Sequence, residues 1–157
     1  MTFIRFLHLL GIGVWVGAAA SALWLVRAAA ADQAARRADR LELVGRLYTW
    51  LVAPAAVLAT ASGMAITMMG ANAGYGERLG EPTSAAMQGL GLLAGALAIF
   101  VTFPASQRLF RAVLAADQAG LATAGERMRR RLAAIEPVIL ALIVIATYLG
   151  VLGTPHG

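Results

Sequence analysis

FLHLLGIGVWVGAAASALWLV, residues 6–26, lies between Arg5 and Arg27 and carries His8 as its only ionisable side chain. At a rise of ~1.5 Å per residue, a helix of this length extends roughly 30 Å, the thickness of a bilayer's hydrocarbon core. Arg5, the apolar run and Ala20-Ser21-Ala22 together imitate a secretory signal with its cleavage site. The run is longer than a typical signal core and the chain starts at Met1, so the expectation is a retained membrane helix.

The rest of the chain follows the same plan. It has 157 residues, 60% of them hydrophobic and 13% charged, whereas soluble domains carry about 25% charged residues. Four hydrophobic stretches, at about 2–29, 47–69, 84–107 and 132–152, alternate with polar connectors at 30–46, 70–83 and 108–131. The expected fold is therefore all-α, a single integral membrane domain of four transmembrane helices, with the tail 153–157 adding no soluble domain. Pro54 and Pro104 fall inside the second and third stretches and predict kinks. Gly70-Ala-Asn-Ala-Gly-Tyr-Gly breaks the chain between them, and Glu81-Pro82-Thr83-Ser84 restarts it. Gly13 with Gly17, and Gly91 with Gly95, have the spacing that lets membrane helices approach closely.

There is no cysteine, which excludes disulfides and thiolate metal sites, and all 13 basic residues are arginine. The net charge of +5 does not mark a nucleic-acid surface, because the arginines sit between apolar runs. Five lie at 27–46 and six at 108–131, against Arg78 alone in the middle connector. By the positive-inside rule the two basic connectors are cytoplasmic and both termini outside, in a membrane of the bacterial inner-membrane type.

His8 is the first candidate for chemistry. His8, Ile12, Trp15 and Ala19 recur at helical spacing and share a face. A histidine within a membrane span is usually paired or ligating, and neutral imidazole suits haem iron and copper alike. The competing reading is an interfacial anchor. Gly11 and Gly13 leave room beside His8 for a second helix or a flat macrocycle, and Trp15 lies below on the same face. Met64 and Met68, four residues apart, and Met87 fall at the same end of their helices as His8. Their thioethers are soft ligands, suited to Cu(I) or to a haem axial position, although methionine also serves as ordinary core filler. Glu136 adjoins the fourth apolar run directly, with Pro137 in a first-turn position. It reads either as a proton-handling or arginine-paired carboxylate inside the bundle, or as an interfacial helix start beside Arg130 and Arg131. Trp24, Trp50, Tyr48 and Tyr148 are membrane-belt candidates.

These residues resemble a known pattern. His8-x6-Trp15-x-Gly17 is similar to the first helix of small CopD-like membrane proteins and of HemJ-type protoporphyrinogen oxidases. Arg46-Leu-Tyr, Pro54 and Gly63 resemble the second HemJ-type helix, and Glu136-Pro137 its Asn-Glu-x-Pro last helix, with Ile135 in place of Asn and Pro directly after Glu. The resemblance implies a membrane redox or metal protein in which His8 ligates haem b, or copper in CopD-like members, and Glu136 is the functional carboxylate. Bis-histidine ligation within one chain would need His156 to fold back. Three readings compete: a haem b oxidoreductase or carrier, a copper-handling protein using His8 and the methionines, and a structural subunit of a homo-oligomer or larger membrane complex in the lipid bilayer.

Overall fold

The computed structural model describes residues 2–29, 34–70, 81–115 and 118–152. Among these the chain is all-helical, and four helices are long and apolar enough to cross a membrane. Helix α1 is Thr2–Ala29. Helix α2, residues 34–70, joins the α-helical segments Ala34–Leu47 and Ala53–Gly70 through a π-helical turn, Tyr48–Val52. Helix α3, residues 82–114, joins Pro82–Leu97 and Phe103–Leu114 through a second π-helical turn, Ala98–Thr102. Helix α4 is Gln118–Leu152.

The helices pack as two antiparallel pairs, α1 on α2 and α3 on α4. Contacts between α2 and α3, and between α1 and α4, close the ring. The core is built of small residues. Ala18, Ala19, Ala22, Ala55, Ala56, Ala59, Ala94 and Ala98 are all buried, while Trp24, Trp50 and Phe100 stand on the outer surface. This distribution suits lipid, where large apolar side chains gain nothing from retreating inward and close helix contact depends on small ones.

Gly11 shows how close that contact is. A Cβ there would lie 2.9 Å from the Ala59 backbone nitrogen and 3.2 Å from the Ala55 carbonyl oxygen, so α1 touches the α2 backbone at this point. Gly95 similarly faces Thr60 Oγ1, which a Cβ would meet at 2.7 Å. Gly13, Gly17 and Gly91 face open space instead. The expected contacts through both glycine pairs therefore reduce to Gly95, and α1 uses Gly11.

The proline kinks take a specific form. Proline has no N–H for the carbonyl four residues back, and its ring crowds that carbonyl. In α2 the Ala53 N–H bonds to the Tyr48 carbonyl, five residues back, just before Pro54. In α3 the Phe103 N–H bonds to the Ala98 carbonyl, just before Pro104. Each π-turn inserts one residue and absorbs the proline that follows it. The two turns start six residues before their prolines. Each packs against the helical segment that follows the other, Tyr48–Val52 on Phe103–Leu114 and Ala98–Thr102 on Ala53–Gly70, and Gln107 Nε2 of α3 donates to Thr49 Oγ1 of α2 at 2.8 Å.

The two basic connectors are themselves largely helical, as the reading of 30–46 as part of a membrane helix and of 108–114 as an extension of the third allows. Most of 34–46 and 108–131 is helical, so α3 runs on to Leu114 and α2 and α4 start more than a turn before their apolar runs. Arg37 Nε donates to the Ala29 carbonyl at 3.2 Å and satisfies the C-terminal end of α1. The middle connector, with Arg78, and His156 lie outside the described residues.

Candidate functional site

The α1 face carrying His8, Ile12, Trp15 and Ala19 turns towards the bundle, with Trp15 and Ala19 fully inside and His8 half-buried. His8 is held by α2. Its Nδ1 lies 2.8 Å from the Ala59 carbonyl oxygen. A carbonyl only accepts, so Nδ1 carries the proton and donates it there. Ser62 Oγ lies 3.3 Å from the same nitrogen and spends its own proton on the Leu58 carbonyl at 2.5 Å. Nε2 has no hydrogen-bond partner among the described residues and in the neutral ring bears the lone pair. The imidazole lies against Gly63, where a Cβ would sit 2.9 Å from His8 Cε1. Only glycine leaves the ring this position.

The methionines are placed otherwise. Met64 and Met68 are exposed on the side of α2. Met87 packs its sulfur against α4, where a Cβ at Gly150 would meet Sδ at 2.9 Å. Among the described residues no set of three His, Cys, Asp or Glu converges on a metal position.

A second polar site lies deeper. Glu136 is 1% exposed, in the interior of α4 rather than at its start, and Pro137 is likewise internal. Neither carboxylate oxygen has a hydrogen-bond partner among the described residues. The first-turn placement and the arginine pairing are thus both corrected. Arg130 binds Glu126 at 2.7 Å, and Arg131 reaches the Val101 carbonyl at 3.5 Å. The side chain facing Glu136 is Tyr48, across the bundle on α2, within electrostatic range but not joined to it by a hydrogen bond. Tyr48 is completely buried, not a belt residue, and stands first in the α2 π-turn. Trp15 Nε1, in the same core, also lacks a partner among the described residues. The signal for Tyr48 is in the sequence. Tyr48, Val52, Ala55, Ala56 and Ala59 form one inward helical face, and the last of these holds His8.

Chemically, the bundle offers a histidine with one anchored and one available nitrogen, and a carboxyl–phenol pair shielded from solvent. Buried polar groups without partners are few in native proteins and mark sites of function or of unseen water and ions. Compared with known protein families, curated proteins and solved structures, the chain matches none.

Proposed function

We propose that the protein is an integral membrane redox protein that binds haem b through His8 Nε2, with Glu136 and Tyr48 as its proton-handling pair. The observation that carries the reading is the His8 Nδ1–Ala59 carbonyl bond at 2.8 Å. Metal-binding histidines characteristically donate their second ring nitrogen to a carbonyl or carboxylate, which fixes the tautomer and turns the lone pair to the metal. The Gly63 cradle supports it, because it holds the ring without crowding. The resemblance to CopD-like and HemJ-type proteins points the same way. Bound there, haem would supply one-electron chemistry.

The chain's own residues do the rest. Ala59 orients the imidazole. Tyr48 and Glu136 lie within the bundle, where a carboxyl can take up or release a proton away from bulk water. The proposed orientation is the one the arginine distribution gives, with the basic connectors cytoplasmic and His8 near the outer face of a bacterial-type inner membrane. Copper at His8 with Met64 and Met68 is less well supported, since both methionines turn outward.

The test is the visible spectrum and metal content of detergent-purified protein. The expected result is a Soret band with reducible α and β bands, lost in His8→Ala at equal folded yield and kept in Met64→Ala. Stoichiometric copper lost in both variants would replace haem by copper. Unchanged spectrum and metal content in His8→Ala would make His8 an interfacial anchor.

A further inference from the structure

Arg108 of α3 and Arg127 and Arg131 of α4 surround a cavity of ≈ 390 Å³ between the two helices. From this juxtaposition we infer that the bundle carries a specific site for the phosphate-bearing headgroup of an anionic phospholipid. The inference stands apart from the proposed haem site, since neither His8 nor Glu136 lines the cavity.

The charge is the first reason. Among the described residues no acidic side chain lines this cavity. Arg129 and Arg130 turn to Glu126, which they bind at 2.7–2.8 Å on another side of α4. Arg127 and Arg131 are left one turn apart on the cavity side, a like-charge pair that is unfavourable in an isolated helix. Arg108 adds a third positive charge from the facing helix. Arg131 makes one contact, through Nη1 to the Val101 carbonyl at 3.5 Å, and no carboxylate among the described residues pairs with Arg108, Arg127 or Arg131. Three guanidinium groups gathered without a counter-charge among the described residues call for an anion, and guanidinium forks match phosphate oxygens.

Size and position identify the anion. The volume is roughly thirteen times the ~30 Å³ share of one water in the liquid, room for a headgroup rather than a single small ion. The wall is apolar, with Ala105 and Met128 buried beneath and Ala124 beside them. Thr123 at the rim donates its hydroxyl proton to the Ala119 carbonyl at 3.0 Å, so the donors facing the cavity are the guanidinium groups. The cavity flanks the arginine-rich ends of the spans, where the apolar surface of the bundle gives way to charge. A phospholipid has the same profile, with charged phosphate above and acyl chains below, and basic pockets between membrane helices are where anionic headgroups bind.

The test uses the full chain in uncharged detergent, titrated with phosphatidylglycerol, phosphatidylcholine or inorganic phosphate, reading the thermal unfolding temperature. Phosphatidylglycerol is expected to raise it saturably and phosphatidylcholine is not. Arg108→Gln and Arg127→Gln should each shift the titration midpoint by roughly fivefold, the equivalent of about 1 kcal/mol per basic residue. Arg129→Gln, outside the cavity, should leave it in place. Ala124→Leu keeps every charge but fills the wall, and should weaken the effect as an arginine variant does; it serves if the arginine variants fail to fold. An equal response to both lipids, or an equal loss in Arg129→Gln, or full retention in Ala124→Leu, would overturn the site. Saturation by millimolar inorganic phosphate to the same extent would overturn the lipid assignment in favour of a soluble phosphate.

Discussion

A neutral imidazole has one N–H and one lone pair, and at His8 the α2 backbone decides which nitrogen holds which. The Ala59 carbonyl takes the Nδ1 proton, and Gly63 provides the space in which the ring does so. Gly63→Ala should therefore act on the site without deleting a ligand. The contact is with a side chain rather than backbone, so the ring moves and the protein folds, but the bond to Ala59 is strained. In haem-loaded protein the expected outcome is a displaced Soret maximum or lowered haem occupancy at normal yield; an unaltered spectrum would separate His8 from the cofactor. Glu136 and Tyr48 make the opposite case, buried polar groups with no hydrogen bond among the described residues to offset desolvation. Removing an unsatisfied polar atom while keeping its shape is neutral or stabilising. Tyr48→Phe, which removes the hydroxyl, should thus change stability by between 0 and about +2 kcal/mol in thermal melts. Glu136→Gln keeps the shape and the polar atoms and removes only the ionisable group, so it should be close to neutral, whereas Glu136→Ala opens a void and should lose about 1–3 kcal/mol. A clear loss in Glu136→Gln would mean that the carboxylate holds a tightly bound partner.

At the scale of the element, the glycines sort by what they face. Gly11 meets the α2 backbone, which cannot swing aside as a side chain can. Gly11→Ala should separate α1 from α2 and lower stability by about 1–3 kcal/mol, while Gly13→Ala, one turn-fraction away and facing open space, should be neutral or gain up to about 1 kcal/mol. Equal melting temperatures for the two variants would refute the close contact. The sequence carries the four spans plainly, because hydrophobic length does not depend on packing. It does not carry where the helices begin. The arginine-rich flanks carry only a short apolar stripe, Leu41 and Val44 before Tyr48 and Met128 before Leu132, which allows a helix in 34–46 and 118–131 without saying that α2 and α4 run through them. That displacement of the helix starts explains why Tyr48 is misplaced and why Glu136 is legible equally as an interior carboxylate, which it is, and as a helix start. Tyr48 looks interfacial only if α2 starts at 47, and Glu136 looks like a helix start only if α4 starts at 132. Pro54 and Pro104 announce irregularity, but a kink and a π-turn answer the same missing N–H, and the packing of α2 against α3 selects between them. Which glycine of a helix faces its neighbour is likewise a property of the pair, not of either strand of sequence.

At the scale of the molecule, eleven of the thirteen arginines, all but Arg5 and Arg78, fall in the two flanks 27–46 and 108–131. These flanks come together: Ala34–Leu47 packs against Phe103–Leu114 at one end of the bundle. The charge asymmetry seen along the chain is therefore also an asymmetry in space, and it is what insertion reads. The span Arg36–Gly70 has 35 residues, about 50 Å of helix, against roughly 30 Å of hydrocarbon. The excess belongs to the arginine end, which stands in the headgroup region and the water beyond it. In the proposed orientation that end is cytoplasmic. The absence of native cysteine makes the test direct. Single cysteines at Ala34, Ala73 and Ala119, treated with an impermeant maleimide on intact cells, should react at 73 alone, and at 34 and 119 only after lysis. Labelling of 34 and 119 but not 73 would invert the bundle. The arginine cavity would then open to the outer leaflet and His8 to the cytoplasm, so this one measurement fixes from which side an electron partner reaches His8 and from which leaflet a lipid reaches Arg127.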